Sequence, residues 1–224
     1  MGVSDGNEFM KKVILILLFA ALSVYSVGMI AIDVFKGRDV ARGFFSDIVA
    51  GQDYPLPAKA LYGLNTSLCV TLLAGTALLY AVSVAAPSGK RTPRDLCFQV
   101  AQVFFFVYLA ADDRLRIHEL VGYTIGIEDA FLLLGLGVLE VAMLFFLGRV
   151  HHWPWRVKGW LVAAGGLFFV MVVIDAFFPK EMKGRLALED LAKLWAIVFL
   201  FLHAWNYCLA RIAGDDLTKG VANA

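Results

Sequence analysis

The sequence predicts an all-α integral membrane protein, a bundle of about six transmembrane helices with no second domain. The first observation is composition. Of the 224 residues, 60% are hydrophobic and 17% are charged, whereas a soluble domain carries about 25% charged residues. The second is that the apolar residues form separate runs of roughly 20, the length that a helix needs to cross a bilayer. We therefore expect lipid to be the solvent for most of the chain.

Six apolar runs define the predicted spans. The first follows Lys11 and Lys12 and continues to Ile32, which is longer than the apolar part of a typical secretion signal, so it is interpreted as a retained helix. Proline follows or precedes several of the other runs, as at Pro93 and Pro179, where helices are expected to begin or end. The predicted spans are residues 13–32, 61–86, 96–111, 125–147, 160–178 and 191–212.

The longest connection, residues 33–60, contains its own helical signal. Five apolar residues recur there at the spacing of one helix face, which predicts a short helix lying on the membrane surface. These residues are Val40, Phe44, Phe45, Ile48 and Val49.

Acidic residues are concentrated at one end of the predicted bundle. Six crossings place both termini on the same side, and most of the acids near the span ends then fall on the opposite side, with only a few, such as Asp95, on the side of the termini. One histidine, His118, joins the larger group. We therefore expect a cluster at that end, formed by Asp33, Asp112, Asp113, Glu119, Glu128, Asp129, Asp175, Glu189 and Asp190.

This cluster has the residue types of an acid–base or metal site. Carboxylates and imidazole transfer protons, and oxygen ligands with one imidazole suit Zn, Mn or Fe. A membrane enzyme of this kind would use a divalent metal to activate water against a lipid or lipid-linked substrate. The candidate catalytic residues are Asp112, Asp113, His118 and Glu119. The candidate metal ligands are His118, Glu119, Asp175, Glu189 and Asp190.

A second hypothesis is transport of protons or a cation. Gln99, Gln102 and Asp113 share one face of the third span at 100° per residue. Ionisable residues at membrane depth are expected to face the bundle interior and to mark ion pathways. The stations of such a path would be Glu140 in the fourth span and Lys193 and His203 on one face of the sixth.

A third interpretation treats the charges as structural. Asp112 and Arg116 are four residues apart, as are Glu189 and Lys193, the spacing of helical ion pairs. Carboxylates at helix N-termini also act as caps. The chain would then be an accessory or assembly subunit of a membrane complex, with a surface of small residues left unpacked at lipid depth. The sequence leaves the three hypotheses open.

Two runs, LAADDRLRIHE and LEDLAKLWA, resemble a pattern in poorly characterised bacterial multi-pass membrane proteins. In that pattern an acidic pair precedes His-Glu at a helix end, and a later helix opens with an acidic pair. The matching residues are Asp112, Asp113, His118, Glu119, Glu189 and Asp190. The resemblance implies a bacterial inner-membrane protein and implies no activity.

Charge also limits the partners and the topology. A net charge of +1 argues against nucleic acid, and three widely spaced cysteines argue against a disulfide framework. The expected partners are the lipid bilayer and a small-molecule or lipid substrate, and an oligomer is possible. Short connections rich in basic residues lie on the side of the termini, which favours cytoplasmic termini.

Overall fold

Helices make up nearly all of the part of the chain that the structure describes. The computed structural model describes residues 3–45, 63–86, 92–179 and 181–213. Its helices are α1 (Val3–Lys36), α2 (Arg38–Phe45), α3 (Leu64–Ala85), α4 (Pro93–Leu115), α5 (Ile117–Ile125), α6 (Asp129–Phe146), α7 (Trp155–Phe177) and α8 (Arg185–Ile212), with a 3-10 turn at Val150–His152 between α6 and α7.

The predicted all-α membrane bundle is confirmed, and each predicted span falls on a helix over most of its described length. Four helical segments are long and apolar enough to cross a membrane, namely Lys12–Lys36, Leu64–Ala85, Pro93–Leu115 and Trp155–Phe177. The apolar part of α6 is shorter, Phe131–Phe146. The last helix, α8, has 28 residues, but its first turns are strongly charged.

The predicted start of the fourth span is wrong. Residue 125 ends α5, and α6 begins only at Asp129. Two residues in the left-handed conformation, Arg116 (φ 54°) and Gly126 (φ 72°), bound α5 and separate it from the helices on either side. Left-handed residues commonly end helices, and apolar composition alone does not reveal such a break.

The start of α4 is specified locally. The side chain of Thr92 accepts a hydrogen bond from the backbone N–H of Asp95, and the Asp95 carboxylate accepts one from the backbone N–H of Thr92. Pro93 occupies the first helical position, where its missing N–H costs nothing. This reciprocal capping box begins the helix three residues before the predicted span.

A short helix is confirmed in the first connection. Ala41, Phe44 and Phe45 of α2 are buried, and α2 packs on α1, α3 and α8. The hydroxyl of Thr66 donates to the carbonyl oxygen of Phe45 at 3.0 Å, which ties α2 to the first turn of α3. The predicted helix residues Ile48 and Val49 lie outside the described residues.

The centre of the bundle is formed by α3 and α8. Helix α7 packs along α8, α4 packs along α3, and α3 also packs along α8, whereas α1 and α6 make smaller contacts at the periphery. Phe19 of α1 packs against Trp195 and Phe199 of α8, with ring centroids 5.5 Å and 5.9 Å apart. Because lipid offers no hydrophobic drive for association, such close packing is what holds the helices together.

Candidate functional site

Most of the predicted acidic cluster comes together at one end of the bundle. We call this group the charged layer. It joins α1, α4, α5, α7 and α8 through ion pairs and through hydrogen bonds of side chains to one another and to the backbone. Its members are Asp33, Asp112, Asp113, His118, Asp175, Arg185, Glu189, Asp190 and Lys193.

Arg185 joins α7 to α8. Its guanidinium donates to the Asp175 carboxylate at 2.8 Å and to the Asp175 carbonyl oxygen at 3.0 Å. The same guanidinium lies 3.1 Å from the Glu189 carboxylate. Only 5% of the Arg185 side chain is exposed, so this cation is held by its partners rather than by water. The sequence analysis missed Arg185, because it lies before the sixth predicted span.

Lys193 joins α4 to α8. Its Nζ lies 2.9 Å from Asp113 Oδ1 and 3.6 Å from Asp190 Oδ1. The other carboxylate oxygen of Asp113, Oδ2, is buried and has no hydrogen-bond partner in the described part of the chain. Asn65 of α3 lies beside this group, and its amide is 3.5 Å from the backbone oxygen of Asp190. Lys193, predicted to lie in the transport path, therefore belongs to the charged layer.

The first turn of α8 is capped from another helix. Asp33, near the end of α1, accepts a hydrogen bond from the backbone N–H of Ala187 at 3.1 Å. Gly184 (φ 81°) starts the helix at Arg185, so Glu189 and Asp190 lie in its second turn. The prediction that Glu189 and Asp190 open and cap this helix is therefore wrong.

Glu189 lies just before Leu191, where the sixth predicted span begins. Its pKa is raised to about 7, first by burial and then by the neighbouring carboxylates Asp190 and Asp175. Arg185 and Lys193 act in the opposite direction. Glu189 can therefore exchange a proton near neutral pH.

Asp112 and His118 form a hydrogen-bonded pair. Asp112 Oδ2 lies 2.8 Å from Nδ1 of His118, and Asp112 Oδ1 accepts from the backbone N–H of His118 at 2.7 Å. Asp112 is buried and His118 is half-buried. The turn at Arg116 makes this possible, because it folds the start of α5 back over the end of α4. Such a carboxylate holds an imidazole in one orientation.

The four predicted catalytic residues are divided among separate pairs. Asp112 pairs with His118, and Asp113 pairs with Lys193. Glu119 instead pairs with Arg116, three residues away on an exposed surface. Asp112 and His118 are thus the two that the fold joins directly.

The predicted metal ligands do not form a ligand group in the described residues. Within residues 3–45, 63–86, 92–179 and 181–213, no three His, Cys, Asp or Glu side chains are placed to hold one ion. Arg185 lies between Asp175 and Glu189, and Lys193 contacts Asp190. The Asp129 side chain lies outside the described set. Binding of a divalent metal stays a prediction.

A second polar group lies deeper, between α4, α6 and α8. The Gln102 amide donates to Glu140 Oε2 at 3.0 Å, and the Gln99 amide donates to the Tyr207 hydroxyl at 3.1 Å. Nδ1 of His203 lies 2.9 Å from the Val157 carbonyl oxygen. Three buried atoms of this inner polar group have no hydrogen-bond partner among the described residues. They are Gln99 Oε1, Gln102 Oε1 and His203 Nε2.

Aromatic rings surround the inner polar group. Trp153 stacks on His203 with ring centroids 5.5 Å apart, and Tyr80 lies 5.4 Å from Tyr207. Trp153 and Tyr80 are both almost fully buried. Trp153, in the connection between α6 and α7, lies in the core. A tryptophan in a connection carries no sequence signal for such a contact.

The outer face of α3 and α4 carries an apolar groove of about 300 Å³. Small residues line much of it, which is the surface that an assembly subunit would need at lipid depth. The lining residues are Ala74, Ala77, Leu78, Ala81, Val103, Val107 and Ala110.

Comparison with known proteins gives one family. A family model described as "Domain of unknown function (DUF8692)" matches residues 12–206, which include every residue of the charged layer and all of the inner polar group except Tyr207. No curated protein and no solved structure matches the chain.

Proposed function

Because the chain belongs to this family, whose description carries no activity, we propose from the geometry of the bundle that the protein moves protons or a small cation across the membrane. The observation that carries the proposal is Glu140. This carboxylate lies in the middle of an apolar helix, and the amide of Gln102 hydrogen-bonds to it from α4. No ion pair found among the described residues includes it. Ionisable groups at such depth are costly and usually functional.

The charged layer supports the proposal through its charge balance. Among the described residues, it contains six carboxyl groups and two cationic side chains, besides His118. An excess of negative charge in a poorly hydrated region attracts cations and protons. Glu189, whose pKa is near 7, would take up a proton at this end of the bundle.

The inner polar group would be the next part of the path. Its amide and imidazole atoms are buried, and those without a described partner would be hydrated or would contact the moving ion. Gln102 and Asp113 lie on the same α4 helix, so one helix connects the charged layer to Glu140. In this proposal a proton or cation passes from the layer to Glu140 and on towards Tyr207 and His203.

Flux through liposomes tests the proposal. The full-length protein is reconstituted into liposomes that contain a pH-sensitive dye. A proton gradient is imposed across the liposome membrane, and potassium with valinomycin balances the charge that moves. Sodium and potassium gradients are tested in separate experiments. We expect Glu140→Gln to reduce flux to the level of empty liposomes, because the amide cannot carry a proton or pair with a cation. Glu128→Gln, an exposed carboxylate at the start of the same helix, is the matched control. Wild-type flux equal to that of empty liposomes under all gradients would refute transport.

An acid–base enzyme is the second candidate, and the Asp112–His118 pair favours it. A positioned imidazole at the end of the bundle could activate water against a lipid-like substrate, with or without the predicted divalent metal. Metal analysis of purified wild type and His118→Ala distinguishes these versions. Metal bound by the wild type and lost in the variant would support the metal enzyme, and no metal in either sample would eliminate it.

We also propose a bacterial inner-membrane location with both termini in the cytoplasm. The short connections on that side are rich in Lys and Arg, which supports this orientation. The charged layer would then lie on the outer side of the membrane.

A further inference from the structure

We propose that α5 is a membrane-surface helix whose outer face is buried in the headgroup boundary of a phospholipid bilayer. This inference does not depend on transport or catalysis. It concerns a segment between the third and fourth predicted spans, which the sequence patterns left unassigned.

The outer face of α5 is apolar and exposed. Leu120 is 67% exposed and Tyr123 is 90% exposed, and the two lie 60° apart on this face. Ile125, at the end of the helix and nearer the Gly122 side, is 54% exposed. At 100° per residue, Leu120 lies nearly opposite Gly122, the one residue of α5 that is buried. The side of α5 that carries Gly122 and His118 therefore faces the rest of the protein. Large apolar side chains lie on the opposite side and point outward.

Its position along the membrane follows from its neighbours. Helix α4 has 23 residues, or about 35 Å at 1.5 Å per residue, which exceeds the hydrocarbon thickness of about 30 Å. Only Arg116 separates α4 from α5, so α5 begins where α4 leaves the hydrocarbon. The next helix, α6, then returns into the bilayer. Because α5 lies between these two membrane crossings, it lies at the headgroup boundary.

The bilayer is the occupant that this surface fits best. Exposed apolar side chains also lie just before and just after α5 along the chain, at Leu115 of α4 and Phe131 of α6, both more than 60% exposed. Tyrosine is enriched at the headgroup level. The exposed side chain of Arg114, just before α5, suits the phosphates of the headgroups.

The orientation of α5 is fixed by the fold. The left-handed turn at Arg116 sets the change in chain direction. Asp112 then holds the first turn of α5 through the backbone and the ring of His118. The Asp112–His118 pair would consequently lie at headgroup depth.

Photo-crosslinking in lipid tests this inference. Benzoylphenylalanine is introduced at Leu120 or at Tyr123 of the full-length protein, which is reconstituted in phosphatidylcholine–phosphatidylglycerol liposomes and irradiated. Both positions are exposed, so the substitutions do not disturb the core. We expect a phospholipid adduct, seen as a mass increase of one lipid, at both positions.

Benzoylphenylalanine at Glu128 is the matched control, because this residue is exposed but polar and lies outside α5. Because Glu128 lies between α5 and the apolar part of α6, we expect a lower yield of lipid adduct there than at Leu120 and Tyr123. Absence of adducts at Leu120 and Tyr123 would place α5 in water. Crosslinks joining two protein chains would place it at a protein interface. Either result would overturn the inference.

Discussion

At the scale of single residues, each buried charge is stabilised by the side chain or backbone group that contacts it from another helix. Arg185 is nearly buried and has two carboxylate partners, Asp175 and Glu189, so its desolvation is offset by close contacts. Glu140 has an amide partner instead of a cation. This difference separates a charge that holds helices together from one that has no cationic partner among the described residues.

Replacing Arg185 is expected to destabilise the protein strongly. Arg185→Met leaves Asp175 and Glu189 without their cation, and loss of one partner from a buried ion pair costs about 3–5 kcal/mol. Thermal unfolding in detergent measures the effect as a lower Tm. Arg114→Met, which removes an exposed arginine, is the control and should leave Tm nearly unchanged. Equal Tm values for the two variants would show that the Arg185 contacts contribute little.

At the scale of elements, close approaches determine where helices end and meet. Gly148, just after α6, lies against the Phe98 ring of α4, and a Cβ there would be 2.9 Å both from that ring and from the backbone oxygen of Leu144. Phe98 cannot move freely, because Trp153 packs edge-on against it at 5.6 Å. The junction of α4, α6 and the 3-10 turn thus requires a residue without a side chain.

Gly148→Ala and Gly165→Ala are expected to change stability in opposite directions. The first overpacks the junction and should cost about 1–3 kcal/mol. The second lies within α7 with nothing within 4 Å of its Cβ position, and alanine is favoured over glycine inside a helix by about 0.5–1 kcal/mol. Tm values of the two variants in detergent measure the difference. A tolerated Gly148→Ala would mean that Phe98 can relax.

At the scale of the whole molecule, lipid as solvent explains the arrangement of the polar groups. Large apolar side chains cover α1, α6 and α7 on the outside, because those surfaces face hydrocarbon. Polar side chains are gathered at one end and along the inner faces of α4 and α8, where each can find a partner. The apolar groove on α3 and α4 is lined by four alanines, one leucine and two valines.

Much of this arrangement was predictable from local patterns. Composition and the lengths of the apolar runs predicted a helical membrane protein. Helical spacing placed Gln99 and Gln102 on one face of α4, and both are fully buried. Spacing and the expectation that polar residues at membrane depth face inward also placed His203 on an inner face of α8, and it is buried there. These predictions succeeded because periodicity depends on residues within a few turns of one another.

The sequence by itself therefore determined the class of solvent, the helices and the faces that they bury. Only the tertiary structure decided which charges pair: Lys193 contacts Asp113, 80 residues away along the chain, and Asp33 caps α8 from 154 residues away. It also decided that α5 is a separate helix, through one left-handed residue at Arg116. The physical reason is that helix periodicity is local, whereas an ion pair between helices depends on how those helices pack, which no spacing within one segment encodes.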